Sequence, residues 1–226
     1  MNIKMIAVAV LAVGSVLAPV ANAAQVVFSN PTWRLQTYGG GEFGADLLGV
    51  GGSVDFYTFC LEKNEGMGFG TPYDYTLATA AMAGGLGGGN PDPISAGTSF
   101  LYQQFLNQTL PGYNFATSTA AERAARAASG RDLQNAIWGL EDEQLVNLAN
   151  PFIVQVVNAF GSIAAAKAHA TSGAIGVLNP TNPALSPTSP LYRRQSVLIN
   201  LPDNGTAAMM LGGSLMLIGA VRRRTA

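Results

Sequence analysis

One cysteine and one histidine in 226 residues remove most of the chemistry a small domain could carry. Cys60 has no disulfide partner in its own chain, and no Cys/His spacing exists from which a tetrahedral metal site could be built. A Cys–His nucleophilic pair could draw only on Cys60 and His169, and neither stands in a local signature of such hydrolases. Charge is also scarce, at 11 % of residues. Between residues 24 and 200, eight Lys and Arg stand against twelve Asp and Glu, a net of about minus four, which argues against a nucleic-acid partner. The glycine-rich run Gly84 to Asn90 is followed by no Lys-Ser or Lys-Thr and opens no capped helix, so it is not read as a phosphate cradle. No cofactor is expected. Long apolar runs occur only at the two ends.

Those ends read as targeting segments. Met1 to Ala23 joins Lys4, an apolar run from Ile6 to Leu17 and the small-residue site Ala21-Asn22-Ala23, the layout of a secretory signal peptide over 1–23. At the far end Leu201-Pro202-Asp203-Asn204-Gly205 precedes an apolar segment, Ala207 to Val221, and then Arg222-Arg223-Arg224. Fifteen residues at about 1.5 Å each fall short of a hydrocarbon core about 30 Å thick, so the expected helix is a marginal span whose arginines would stay cytoplasmic. Turn motif, apolar helix and basic tail resemble the Val-Pro-Asp-Ser-Gly and Pro-Glu-Pro C-terminal sorting signals of Gram-negative exported proteins, with Leu201 and Asn204 as departures. The resemblance implies a sorting signal over 201–226 carried by Pro202, Asp203, Gly205, Arg222, Arg223 and Arg224. It also implies an exosortase-type processing enzyme as partner, transient membrane attachment, and export to the cell envelope or surface. A plain anchor helix is the alternative.

Residues 24–200 suffice for one domain with a sizeable core. Expected strands lie at Gln25 to Tyr38 (two, meeting near Pro31), Phe43 to Val50, around Cys60, Tyr73 to Leu77, Ala174 to Leu178 and Gln195 to Leu201, with the prolines from Pro180 to Pro190 in an irregular loop. Helical spacing takes over from about Ile94: Leu101, Tyr102, Phe105 and Leu106 share a face. Thr119 and Glu122 form a capping-box pattern, Ser129-Gly130 is read as a break, and a further helix begins with Ser129 or Asp132 as cap and runs to about Leu148. Asn150-Pro151 opens the last helix, near whose end His169 sits. The Glu141-Asp142-Glu143 run is read as a solvated face. The expectation is an α+β fold, a β-rich body with a mainly helical insertion over about 94–170.

The run Asp55-Phe56-Tyr57-Thr58-Phe59-Cys60-Leu61-Glu62 reads as a strand with Phe56, Thr58 and Cys60 on one face and Tyr57, Phe59 and Leu61 on the other. In an exported chain such a cysteine is buried as an inert small hydrophobe, joined to another molecule, or consumed in another bond. The second motif, Gln134-Asn135-Ala136-Ile137-Trp138, follows it. Together the two resemble the thioester domains of bacterial surface adhesins, in which a Cys after an aromatic strand and the Gln of a Gln-x-Ala-Ile-Trp motif are joined through their side chains. Leu133 stands where the adhesins commonly have Thr, and Glu62 where they often have Asp. The resemblance implies a thioester between Cys60 and Gln134, formed with loss of ammonia and able to acylate an amine on a surface ligand, which is covalent adhesion and not enzymatic turnover. Helix N-terminal amides near Gln134 are expected to support the oxyanion, and Tyr57, Phe59 and Trp138 to line the cleft. Tyr57, Glu62, Asp132 and Glu141 are open candidates for the base. The competing reading is a passive extracellular matrix protein with a buried, unreactive Cys60.

Overall fold

Alternation writes the first strand: in β1, Gln25–Ser29, Val26 and Phe28 are fully buried while their neighbours are not. A computed structural model describes residues 24–33, 40–47, 54–170 and 173–201. The signal peptide expected over 1–23, the sorting segment from Pro202 onward and residues 34–38 of the second expected strand lie outside the described residues. β1 pairs antiparallel with β2, Phe43–Asp46, and β2 in turn with β3, Phe56–Thr58. On its other side β1 pairs with β4, Pro72–Ala78; β4 pairs with β7, Ile175–Thr181, and β7 with β8, Val197–Asn200. The sheet order is therefore β3-β2-β1-β4-β7-β8.

The two ends of this sheet come back together. Cys60 forms a bridge with Val197, Leu61 N donates to Ser196 O at 3.0 Å, and the Thr58 hydroxyl donates to Leu198 O at 2.6 Å. A nearly closed sheet results, which satisfies backbone groups that an open edge would leave to solvent or to another chain. Cys60 sits at the closing seam.

Two short strands, β5 (Ala80–Ala81) and β6 (Asp92–Pro93), pair beside the sheet, and four helices lie between β6 and β7. They are α1, Ala96–Leu106; α2, Ala120–Leu140; α3, Pro151–Phe160; and α4, Ile163–Ala166. The fold is α+β, with the helices inside the stretch of about 94–170 where helical spacing was read. Leu101, Tyr102, Phe105, Leu133, Ile137 and Phe152 pack with Phe59, Leu61 and Val177 in one core cluster. Val26, Phe28, Phe43, Cys60, Leu178 and Val197 form a second, which Trp138 of α2 joins. The alternation expected around Cys60 holds, with Phe59 and Leu61 in the first cluster and Cys60 in the second. Each fully buried Leu or Phe contributes about 1.5–3 kcal/mol of transfer free energy.

Four expectations about elements are corrected. The helix expected from Asn150-Pro151 to near His169 is two: Gly161, at φ 79°, closes α3, and Ser162 caps the short α4, which ends before His169. Ser129-Gly130 does not break a helix: α2 runs unbroken for 21 residues from its Thr119/Glu122 capping box and ends at Glu141, before Leu148. The Ser129 hydroxyl turns back to Arg126 O within the helix and accepts Asn114 N. At Gly130 a Cβ would lie 3.2 Å from Tyr113 Oη and 3.5 Å from Glu42 Cβ, so this glycine allows close approach. What ends α2 is the turn in which Asp142 takes φ 61°. Pro180, expected in a loop, lies within β7 opposite Tyr75 of β4 and two positions beyond Leu178, where the pairing of β7 with β8 ends; its carbonyl accepts Arg194 N at 3.0 Å. The Glu141 to Glu143 run is not a solvated face, since Glu141 and Glu143 are buried. Glu143 accepts Lys63 N at 2.6 Å, Leu86 N at 2.7 Å and Gly87 N at 2.9 Å, tying the glycine-rich loop to the chain after Cys60.

Candidate functional site at the Cys60 seam

Gln134 is fully buried near the C-terminal half of α2, 74 residues from Cys60 in sequence and directly against it in space. Its Oε1 accepts Cys60 N at 3.0 Å and Gly41 N at 3.1 Å, and its Nε2 donates to Cys60 O at 2.8 Å. The amide plane is thus fixed against the backbone of the residue that carries the sulfur. Two backbone N–H groups converging on one carbonyl oxygen polarise its carbon and are placed to hold the negative charge that an attacking nucleophile would push onto that oxygen. This corrects the expected source of that support. Gln134 lies fourteen positions past the start of α2, so the helix N-terminus is remote, and the donors come from the seam and from Gly41.

Gly40 and Gly41 lie over this amide. A Cβ on Gly40 would fall 2.7 Å from Gln134 Cγ, 2.8 Å from Gln134 Cδ and 2.8 Å from Trp138 Cη2, and Gly40 has φ +70°. Sequence reasoning took the Gly39-Gly40-Gly41 run as mere loosening. The available signal was the glycine run set immediately before an acidic residue, Glu42.

That acidic residue, Glu42, anchors the donor segment. Arg126 Nε donates to Glu42 Oε2 at 2.9 Å, its second nitrogen pairs with Oε1 at 2.5 Å, and Tyr113 Oη donates to Oε2 at 2.7 Å. The guanidinium lies 4.6 Å from the Trp33 ring and 5.4 Å from that of Tyr57. Arg126, Gly130 and Gln134 recur at four-residue spacing, so one stripe of α2 holds Glu42, lets its backbone approach and presents the amide to Gly41.

A cleft of about 330 Å³ opens on Cys60. Trp138 lines it as expected, and its buried Nε1 has no hydrogen-bond partner among the described residues. Phe59 and Tyr57 do not line it: Phe59 is in the helical-layer core against Tyr102 and Phe105, and Tyr57 stacks with Trp33 and Arg126. The side-chain alternation of the strand carries both away from the face of Cys60.

The candidate bases separate in the same way. Asp132 lies by a different hollow with Asn135 and Asn150, and Glu141 spends Oε1 on the N–H and hydroxyl of Ser95, the N-cap of α1. The Tyr57 hydroxyl is pushed up first by burial and then by Glu42, so it stays protonated. Glu62 is buried behind the cleft, its Oε2 accepting Ser196 N at 3.2 Å and Gln195 Nε2 at 3.3 Å, while Oε1 has no partner among the described residues. Burial foremost, then the nearby Glu65, pushes its carboxyl up to about 9, so at neutral pH it is an acid and not a base. Gln195, which touches Glu62, also lines the cleft. His169 lines a separate hollow with Asp92 and Lys167, so it shares no cleft with Cys60. Among the described residues no cluster of His, Cys, Asp and Glu could hold a metal ion, and no helix is long and apolar enough to cross a membrane.

No family model matches the chain, and neither a curated protein nor a solved structure matches it.

Proposed function

We propose that the chain is an exported surface protein whose Cys60 and Gln134 form an internal thioester that acylates an amine on a partner, fastening the protein covalently. The supporting observation is the clasp on Gln134: two backbone N–H groups on Oε1 and the Cys60 carbonyl on Nε2, with the Gln134 side chain fully buried. The Cys60 thiolate adds to the amide carbon, the oxyanion is held by Cys60 N–H and Gly41 N–H, and ammonia leaves with the Nε2 nitrogen, giving a C–S bond. Amide carbon is a poor electrophile, so the reaction needs the enforced proximity that a seam residue facing a buried helix side chain supplies. A primary amine later adds to the same carbon, the C–S bond breaks, and Cys60 returns as a thiol. The targeting segments fit this reading, with release at the cell envelope or surface after transient anchoring by the C-terminal helix.

A second reading draws on the same bonds. They satisfy a buried Gln amide completely enough for Gln134 to serve as a plain staple between α2 and the seam in a passive matrix protein. Intact mass separates the two. The thioester protein weighs one ammonia less than its sequence and has no titratable thiol, Cys60→Ala restores the mass, and methylamine adds at Gln134. A full-mass protein with a titratable thiol leaves only the staple. A mass deficit accompanied by a titratable thiol identifies instead an internal amide, for which Lys63, on the cleft wall, is a candidate amine.

A further inference from the structure

The cleft beside Cys60 is chemically lopsided. Phe43, Met67, Phe69 and Trp138 give it apolar walls, and Glu65 is the one carboxylate on them among the described residues. Its cation among the described residues, Lys63, is committed: its ammonium donates to Gln144 Oε1 at 2.9 Å and lies 5.5 Å over the Trp138 ring. Glu65 is half-buried, with Arg193, Glu143 and the buried Glu62 as its charged or titratable neighbours.

Resting on the thioester reading, we infer that this cleft takes a primary ammonium on a linear apolar stem, the side chain of a lysine on a partner protein, and that Glu65 removes the proton blocking its nitrogen. The need for a base is arithmetic. A lysine amine titrates near 10.4, so at neutral pH only about one in a thousand or fewer carries the lone pair that attacks a carbonyl. A carboxylate on the cleft wall draws the cation in, while the apolar walls take its methylene stem. A neutral hydroxyl gains nothing from that charge. Burial, ahead of the opposing pull of Arg193, raises the Glu65 carboxyl and so makes it a stronger base than an exposed glutamate. Glu62, held neutral behind it, does not compete for the cation.

The step balances. Glu65 carboxylate takes one proton from the ammonium; the freed nitrogen adds to the Gln134 carbonyl carbon; the C–S bond breaks; a second proton passes from nitrogen to the Cys60 thiolate. The products are an isopeptide amide and a thiol, and Glu65 returns its proton to solvent.

The test uses the exported protein carrying the mass deficit, wild type and Glu65→Gln, with two probes. Nα-acetyl-lysine amide enters as an ammonium, whereas hydroxylamine is already neutral at pH 7. Glu65→Gln is expected to keep the deficit, which also shows that it folds. Its adduct with the lysine probe should form about a hundredfold more slowly at pH 7, and that rate should climb with pH more steeply than in wild type. The hydroxylamine rate should stay within about twofold, since no proton has to be removed first. Glu65→Asp should recover part of the lysine rate. Equal lysine rates in wild type and Glu65→Gln would overturn the role of Glu65 and leave the thioester standing; a wild-type protein of full mass would remove both.

Discussion

At Gly40 two constraints coincide. A left-handed φ costs a side-chain-bearing residue about 1 kcal/mol, and a Cβ there would also strike Gln134 and Trp138. Gly40→Ala is therefore expected to lose about 2–4 kcal/mol of stability in urea denaturation, and, by displacing the amide from its donors, to abolish the mass deficit that the proposed thioester would give. Glu62 gives a pH signature. Its carboxyl is raised in the folded protein from the ordinary 4.5 to about 9, so between those values the folded state holds a proton that the unfolded chain has released. Stability from this group is complete below about pH 4.5 and falls as pH rises toward about 9, with a limiting slope of about 1.4 kcal/mol per pH unit. Glu62→Gln cannot titrate and should flatten that decline, so denaturation midpoints of the two proteins should diverge from pH 6 to pH 9. Parallel curves would show that Glu62 ionises normally when folded.

The element that organises the site is α2. Its Arg126 ties down Glu42, which follows the Gly41 donor; its Gln134 receives that donor; its Trp138 walls the cleft. Removing Arg126 alone leaves the Glu42 carboxylate buried with Tyr113 and Trp33 as its remaining hydrogen-bond donors. Arg126→Met should accordingly cost about 3–5 kcal/mol in chemical denaturation, and adding Glu42→Gln should recover part of the loss because the stranded charge is gone. If the single and double variants are equally destabilised, the guanidinium contributes packing against the rings of Trp33 and Tyr57 and not charge. The legibility of α2 was uneven. The capping box at Thr119 and Glu122 placed its start correctly, because a cap is a local hydrogen-bond pattern written in adjacent residues. Its continuation through Ser129-Gly130 was misread, since the cost of a mid-helix glycine is small beside the packing gained where Glu42 and Tyr113 press against that point.

For the whole molecule, what matters is that the sheet closes. Cys60 bridges Val197, and α2 reaches the same place from the helical layer, so a bond from Cys60 to Gln134 would tie sheet and helices at the seam. Closing a loop of 74 residues would stabilise by about 4 kcal/mol in the chain-entropy account developed for disulfides. Opening the bond with methylamine is thus expected to lower the melting midpoint by roughly 10 °C for a domain of this size. An unchanged midpoint after complete adduct formation would mean that the non-covalent clasp alone carries the junction.

The sequence by itself determined the α+β class, the two faces of the strand leading to Cys60, the caps at Thr119 and Asn150 and, as its lone cysteine, Cys60, because periodicity, caps and rare residue types are local signals; Gln134 was singled out only by the resemblance of its motif. It could not show that Tyr57 and Phe59 turn away from the cleft, that Gly41 supplies an oxyanion donor, or that Glu141 and Glu143 are buried carboxylates engaged by Ser95 and by the glycine-rich loop. Those facts depend on which distant segments meet once the six strands come round to the seam. Burial, and with it the Glu62 proton, is a property of that meeting and of no single stretch of chain.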